Sequence, residues 1–173
     1  NNHNGYINVE SEVGVGTTFY IYLPAVTGEI ILETPADKIC SPGDGRILIM
    51  EDEEVIRNAA GEMLHEIGYQ VTYAGDGIEA IQLYLQAKKN GAPFDAVIID
   101  LTVPGGLGGK DTVQELLKHD PGVKSIVSSG YSNDPIMANY KEYGFCGMVV
   151  KPYKIEELSK VLQSVIRRNQ SPA

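Results

Sequence analysis

From Arg46 onward, short continuous apolar runs alternate with longer stretches that are apolar at helical spacing, and this constrains the fold more than any other feature. Ile47-Leu48-Ile49-Met50 and Ala96-Val97-Ile98-Ile99 are apolar on both parities. A strand with one wet face alternates, whereas a strand covered on both faces does not. Three further segments, Tyr69–Tyr73, Ser125–Ser128 and Met148–Val150, complete a set of five expected strands. Between them, Val55, Ile56, Ala59, Ala60, Met63, Leu64 and Ile67 recur as one helical face, which Gly68 ends. Asp76 and Glu79 form a D-x-x-E capping box for a second helix, carrying Ile78, Ile81, Tyr84 and Leu85. Thr112–His119, Pro135–Tyr143 and the Ile155–Ile166 repeat are expected to be the remaining helices. Five strands alternating with five helices predict an α/β fold, a parallel sheet covered on both faces.

In such a sheet, chemistry gathers beyond the carboxyl ends of the strands, where the strand order switches. The residues there are Glu51 and Asp52, Asp100, Ser129 and Lys151. Three crowded carboxylates repel unless a cation intervenes. Hard oxygen ligands suit Mg²⁺, and a lysine supplies a second positive charge. Carboxylate nucleophile, metal, ammonium and hydroxyl together suit a phosphoryl group. Alone, Glu51 and Asp52 would pass for acids at a helix start, Asp100 for a loop residue, Lys151 for a surface lysine and Ser129 for a turn cap. Their common position after successive strands argues otherwise.

Four motifs in order carry a resemblance. They are Ile47–Glu53 with its acidic pair, Ile98–Gly105 around Asp100, Val127–Tyr131 with Ser129, and Val150–Tyr153 with Lys151. Arg46–Arg167 resembles a response-regulator receiver domain. The resemblance implies a flavodoxin-like (βα)5 doubly wound five-stranded sheet. It also implies phosphorelay signalling, with Asp100 accepting a phosphoryl group from phosphohistidine and catalysing its own modification. Asp52 would bind Mg²⁺ directly and Glu51 through water, with Asp100 and the Thr102 backbone carbonyl as further ligands. Lys151 would pair with Asp100 and then with phosphate, and Ser129 would swing in to hydrogen-bond it. A histidine kinase or histidine phosphotransfer protein is the implied partner, with a homodimer left open. The family often has Asp where Glu51 stands, and an aromatic switch residue where Met148 stands. A thioether cannot flip as a ring does, so output is expected through another surface. Tyr131, two residues past Ser129, is expected to shield the phosphate from water. A phosphorylation-independent interaction module is the alternative function. A phosphatase or phosphotransferase on a similar sheet is a third, disfavoured because Thr102, not a second acid, stands two residues past Asp100.

Residues 1–24 are a separate piece. Apolar and polar residues alternate from Tyr6 to Leu23 around Gly14-Val15-Gly16, the pattern of a β-hairpin. His3–Ile7, Glu10–Glu12, Gly14–Phe19 and Leu23-Pro24 resemble the closing hairpin of a histidine-kinase ATP-binding domain. That resemblance implies a hybrid sensor kinase as parent, with this piece itself neither binding ATP nor acting as a kinase. The start lacks an initiator Met and begins abruptly, so a truncated part of a longer protein is expected. Residues 25–45, broken by proline and glycine, are expected to be a linker, although Glu29–Leu32 has strand character. The receiver is expected over 46–169, with a tail at 170–173.

The net charge of −9 and pI near 4.8 argue against nucleic acid and anionic membranes as partners, since both attract clustered Lys and Arg. No apolar run approaches the ~18 residues needed to span a bilayer. Neither Cys40 nor Cys146 sits in a C-x-x-C pair, and free thiols in a cytoplasmic protein are expected. Gly105–Lys110 falls short of a phosphate-binding loop, because Pro104 and Asp111 stand where Gly and Ser/Thr belong. It is expected to be a flexible connection into the third helix. His65 and His119 are assigned no partner.

Overall fold

The computed structural model describes residues 4–25, 43–103, 106–130 and 134–167. Most of the expected linker, with Cys40 and Glu29–Leu32, lies outside the described residues, as do Tyr131 and the 170–173 tail. The described residues form two units.

The first is an antiparallel hairpin of β1 (Tyr6–Glu12) and β2 (Gly16–Tyr22). Tyr6 pairs with Tyr22 at one end and Glu12 with Gly16 at the other. Gly14, at φ 81°, takes the left-handed conformation that the turn requires and most side chains resist. The register gathers Ile7, Val9, Phe19 and Ile21 on one face, all more than half exposed in the hairpin taken by itself. Two strands by themselves bury little apolar surface and are marginal in water.

The second unit is a five-stranded parallel sheet in the order β4-β3-β5-β6-β7. Its strands are β3 (Arg46–Met50), β4 (Gln70–Ala74), β5 (Ala96–Asp100), β6 (Ser125–Ser129) and β7 (Gly147–Val150). Strand alternation divides the core in two. Ile47, Ile49, Ile98 and Ile126 face α1 (Glu54–Glu66) and α5 (Ile155–Arg167). Leu48, Met50, Val97, Ile99 and Val127 face α2 (Gly77–Lys89) and α3 (Gly109–His119). The continuous apolar runs are thus strands with both faces buried. After β3 the chain crosses to β4 on one side and then to β5 on the other. The switch in order falls between β3 and β5.

Local chemistry sets the helix ends. The Glu79 amide donates to Asp76 Oδ1 at 2.9 Å, as the capping box predicts. The reciprocal bond is shifted, because Glu79 Oε2 accepts from the Gly75 amide at 2.7 Å. Two expectations need correction. The helix after Pro135 does not run to Tyr143: α4 covers only Pro135–Ala138, and a 3-10 turn follows over Tyr140–Tyr143. Asn139, at φ −122° and ψ 32°, leaves helical geometry and divides them. The third helix begins three residues before Thr112, at Gly109, so Gly109 and Lys110 are helical rather than part of a connection. A Cβ on Gly109 would lie 2.3 Å from the Asp100 carbonyl oxygen, so only glycine lets α3 start this close to the end of β5.

Candidate phosphoacceptor site

The carboxyl ends of four strands meet at one edge. Glu51 follows β3 and extends its ladder, its amide donating to the Ala74 carbonyl at 3.0 Å. Asp100 is the last residue of β5, Ser129 the last of β6, and Lys151 follows β7. The Lys151 amide donates to the Ser129 carbonyl at 2.9 Å, which fixes where its side chain departs.

That side chain reaches both buried acids. Lys151 Nζ lies 2.5 Å from Glu51 Oε2 and 2.9 Å from Asp100 Oδ2. Glu51 is 1% exposed, Asp100 3%, and the lysine side chain 13%. Glu51 Oε2 has the ion pair but no aligned hydrogen bond, and Asp100 Oδ1 has no hydrogen-bond partner. Buried oxygens in that condition are rare. The carboxylate oxygens of Glu51, Asp52 and Asp100 lie within 4.8 Å of one another, with Asp52 exposed at the mouth. The donor set is all oxygen and carries more negative charge than one ammonium cancels. It fits a hard divalent cation.

This charge imbalance governs the titration. Burial raises the Glu51 carboxyl above its ordinary range; Lys151 opposes the rise and Asp100 adds to it. Burial alone would lower Lys151, but its bonds to Glu51 and Asp100 outweigh that and raise it. A carboxyl with a higher pKa folded than unfolded binds more protons in the native state. Its contribution to stability therefore falls as pH rises through the interval between the two values. In metal-free buffer, Glu51→Gln is expected to melt above wild type at neutral pH. The advantage should shrink on acidification as wild-type Glu51 takes up its proton. Thermal unfolding of both proteins across that interval checks this, and a gap that ignores pH would contradict it.

A cleft of ≈ 780 Å³ opens over the site, and Asp52, Asp100, Thr102 and Lys151 line its polar end. Ser129 is 1% exposed and does not line this cleft; Gly130 does. The structure thus brings Glu51, Asp52, Asp100 and Lys151 together, with Thr102 lining the same cleft and Ser129 buried at the end of β6. Tyr131 lies outside the described residues. His65 is exposed, while His119 has a partner that the sequence did not suggest, Glu115 at 3.4 Å.

Two features escaped sequence reasoning. One is the apolar half of the cleft, with Val55, Ile56, Met63 and Pro152. The other is a bond between Ser128 Oγ and the Tyr153 hydroxyl at 2.7 Å. Ser128 is fully buried, and a hydroxyl in a strand buried on both faces needs a partner, which was the available signal.

Strand order, acidic pocket and a lysine just after the last strand define a receiver module of two-component signalling. The chain belongs to the response regulator receiver domain family, whose model matches residues 47–163. It is 30% identical over 173 residues to the sensor kinase CckA of Brucella abortus, an alignment covering 95% of this chain and 18% of that protein. It therefore spans less than a fifth of that kinase. It is 31% identical over 121 residues to the chemotaxis protein CheY of Thermotoga maritima, covering 67% of this chain and 96% of that one. Among solved structures it resembles the receiver domain of the sensor histidine kinase PA1611 of Pseudomonas aeruginosa, described with a magnesium ion in its active-site cleft. The TM-score is 0.63 and the identity 27%, over 72% of this chain and 98% of that one. Phosphorelay signalling is the function class of this chain, and histidine kinases or phosphotransfer proteins are the partners of such domains. Among the described residues no helix is long and apolar enough to cross a membrane.

Proposed function

We propose that Asp100 is the phosphoacceptor and that Lys151 balances the charge of the incoming phosphoryl group. One observation supports this above the rest: Asp100 is buried, keeps Oδ1 without a partner, and has an ammonium 2.9 Å from its other oxygen. A carboxylate so placed is held for a ligand rather than spent on the fold.

In the step, an Asp100 oxygen attacks phosphorus while the P–N bond of a donor phosphohistidine breaks. The electron pair stays on the imidazole nitrogen, which takes up a proton. The Lys151 ammonium is within reach of Asp100 and meets the charge on the phosphoryl oxygens. Ser129 would donate a hydrogen bond to the product. Glu51, Asp52, Asp100 and the Thr102 carbonyl would hold Mg²⁺; the carboxylate cluster, the free Asp100 oxygen and the PA1611 receiver support that assignment. When bound, the ion would offset the carboxylate repulsion and draw charge from the phosphoryl oxygens.

The parent is a hybrid sensor kinase in this reading, and residues 1–24 are the end of its ATP-binding domain. The alignment with a sensor kinase across 95% of the chain supports it. A cytoplasmic location and an acidic surface without nucleic-acid contacts go with it. Met148 is 41% exposed on β7 and lacks a ring, so output travels by a route other than an aromatic flip.

Beryllofluoride with Mg²⁺ tests the proposal. The phosphoryl mimic is expected to shift the amide resonances of Asp100 and Ser129. Unmoved resonances at saturating reagent would favour a phosphorylation-independent interaction module instead.

A further inference from the structure

We propose that Tyr153 is a positioning residue for Lys151, acting through its hydroxyl bond to Ser128. The inference rests on the reading of Asp100 and Lys151 given above and adds the device that aims the ammonium.

Lys151-Pro152-Tyr153 is the short link from β7 into α5. It is tied down at both ends by consecutive residues of β6. At its start, the Lys151 amide donates to the Ser129 carbonyl at 2.9 Å. At its end, the Tyr153 hydroxyl meets Ser128 Oγ at 2.7 Å. Between these anchors the lysine side chain must pass into the gap between Glu51 and Asp100, 2.5 and 2.9 Å from their oxygens. Strand parity supports the arrangement. Ser128 shares the parity of Ile126, and the Tyr153 ring packs against that same side of the core, beneath α1 and α5.

The hydroxyl pair is not needed to fill space, since a phenyl ring and a methyl group would occupy nearly the same volume. Burial pushes the Tyr153 phenol up to about 12, so it stays protonated at neutral pH. Ser128 is completely buried, and each hydroxyl loses its bond if the other is replaced. Two apolar replacements together leave nothing unsatisfied. Packing and positioning therefore come apart in a double variant.

The experiment compares wild type with Tyr153→Phe, Ser128→Ala and the double variant. Phosphoryl uptake from acetyl phosphate with Mg²⁺ is followed by intact mass, beside thermal unfolding. Each single variant is expected to lower the maximal uptake rate about fivefold, the worth of one net hydrogen bond, at an unchanged half-saturating donor concentration. The double variant is expected to regain thermal stability yet stay as slow as the singles. Single variants at the wild-type rate, or a double variant that recovers rate along with stability, would overturn the positioning role. A wild-type protein that takes up no phosphoryl group would instead refute the assignment of Asp100.

Discussion

Asp100→Asn is expected to gain no mass on incubation with acetyl phosphate and Mg²⁺, while the wild type gains one phosphoryl group. An amide oxygen is a poor nucleophile, and among the described residues no other buried carboxylate has one oxygen beside an ammonium and the other without either hydrogen bond or ion pair. Glu51 already uses one oxygen on the Glu53 amide at 3.4 Å and the other on Lys151. Removing a nucleophile costs several orders of magnitude, so uptake should fall by at least about a thousandfold. Asparagine keeps the shape of the side chain and removes one of the crowded negative charges. The metal-free variant should therefore melt no lower than wild type. Retained uptake in a folded variant would mean that the acceptor lies elsewhere.

Lys151→Met should damage stability and chemistry together, and Mg²⁺ should separate the two. Methionine keeps the apolar stem and deletes the ammonium that both buried acids share. Breaking a buried pair from one side typically costs about 3–5 kcal/mol, because a charge is left uncompensated. A large fall in melting temperature is expected in metal-free buffer, eased by acidification as Glu51 protonates. Saturating Mg²⁺ should restore most of the stability, since a cation among the carboxylates replaces the missing charge. Phosphoryl uptake should stay slowed by about 10²–10³-fold, the usual cost of losing one preorganised group facing a developing charge. A metal-free variant as stable as wild type would contradict the account of the site.

The sequence makes the sheet legible because strands buried on both faces leave a record that needs no partner to interpret. Ile47–Met50 and Ala96–Ile99 are apolar throughout because α1 and α5 cover one side and α2 and α3 the other. Placing Glu51, Asp100, Ser129 and Lys151 then needed only the rule that chemistry collects beyond strand ends. What the sequence hid depends on side-chain direction or on close approach. Lys151 was expected on Asp100, yet it also grips Glu51, whose extra methylene lengthens its reach. Ser128 and Tyr153 lie 25 residues apart, and no local pattern links them. Gly109 looks like a chain breaker, but it opens a helix because a side chain there would strike the Asp100 carbonyl. Pro135 correctly marks a helix start, and the apolar residues after it suggest a long one. The break at Asn139 is a backbone event with no signature in residue type alone.

The brevity of α4 bears on how a chemical event at Asp100 is felt elsewhere. Four helical residues and a 3-10 turn hold themselves with few internal bonds, such as Ala138 to Asp134 at 3.1 Å and Glu142 to Asn139 at 2.9 Å. The thirteen-residue α5, on the other flank of β7, has a full ladder. Segments with so little cooperative length rearrange at small cost, on the soft end of a protein's range of local stabilities. Pro135–Tyr143 is thus expected to yield before its thirteen-residue neighbour α5 does, so strain reaching this flank of β7 would be absorbed there first.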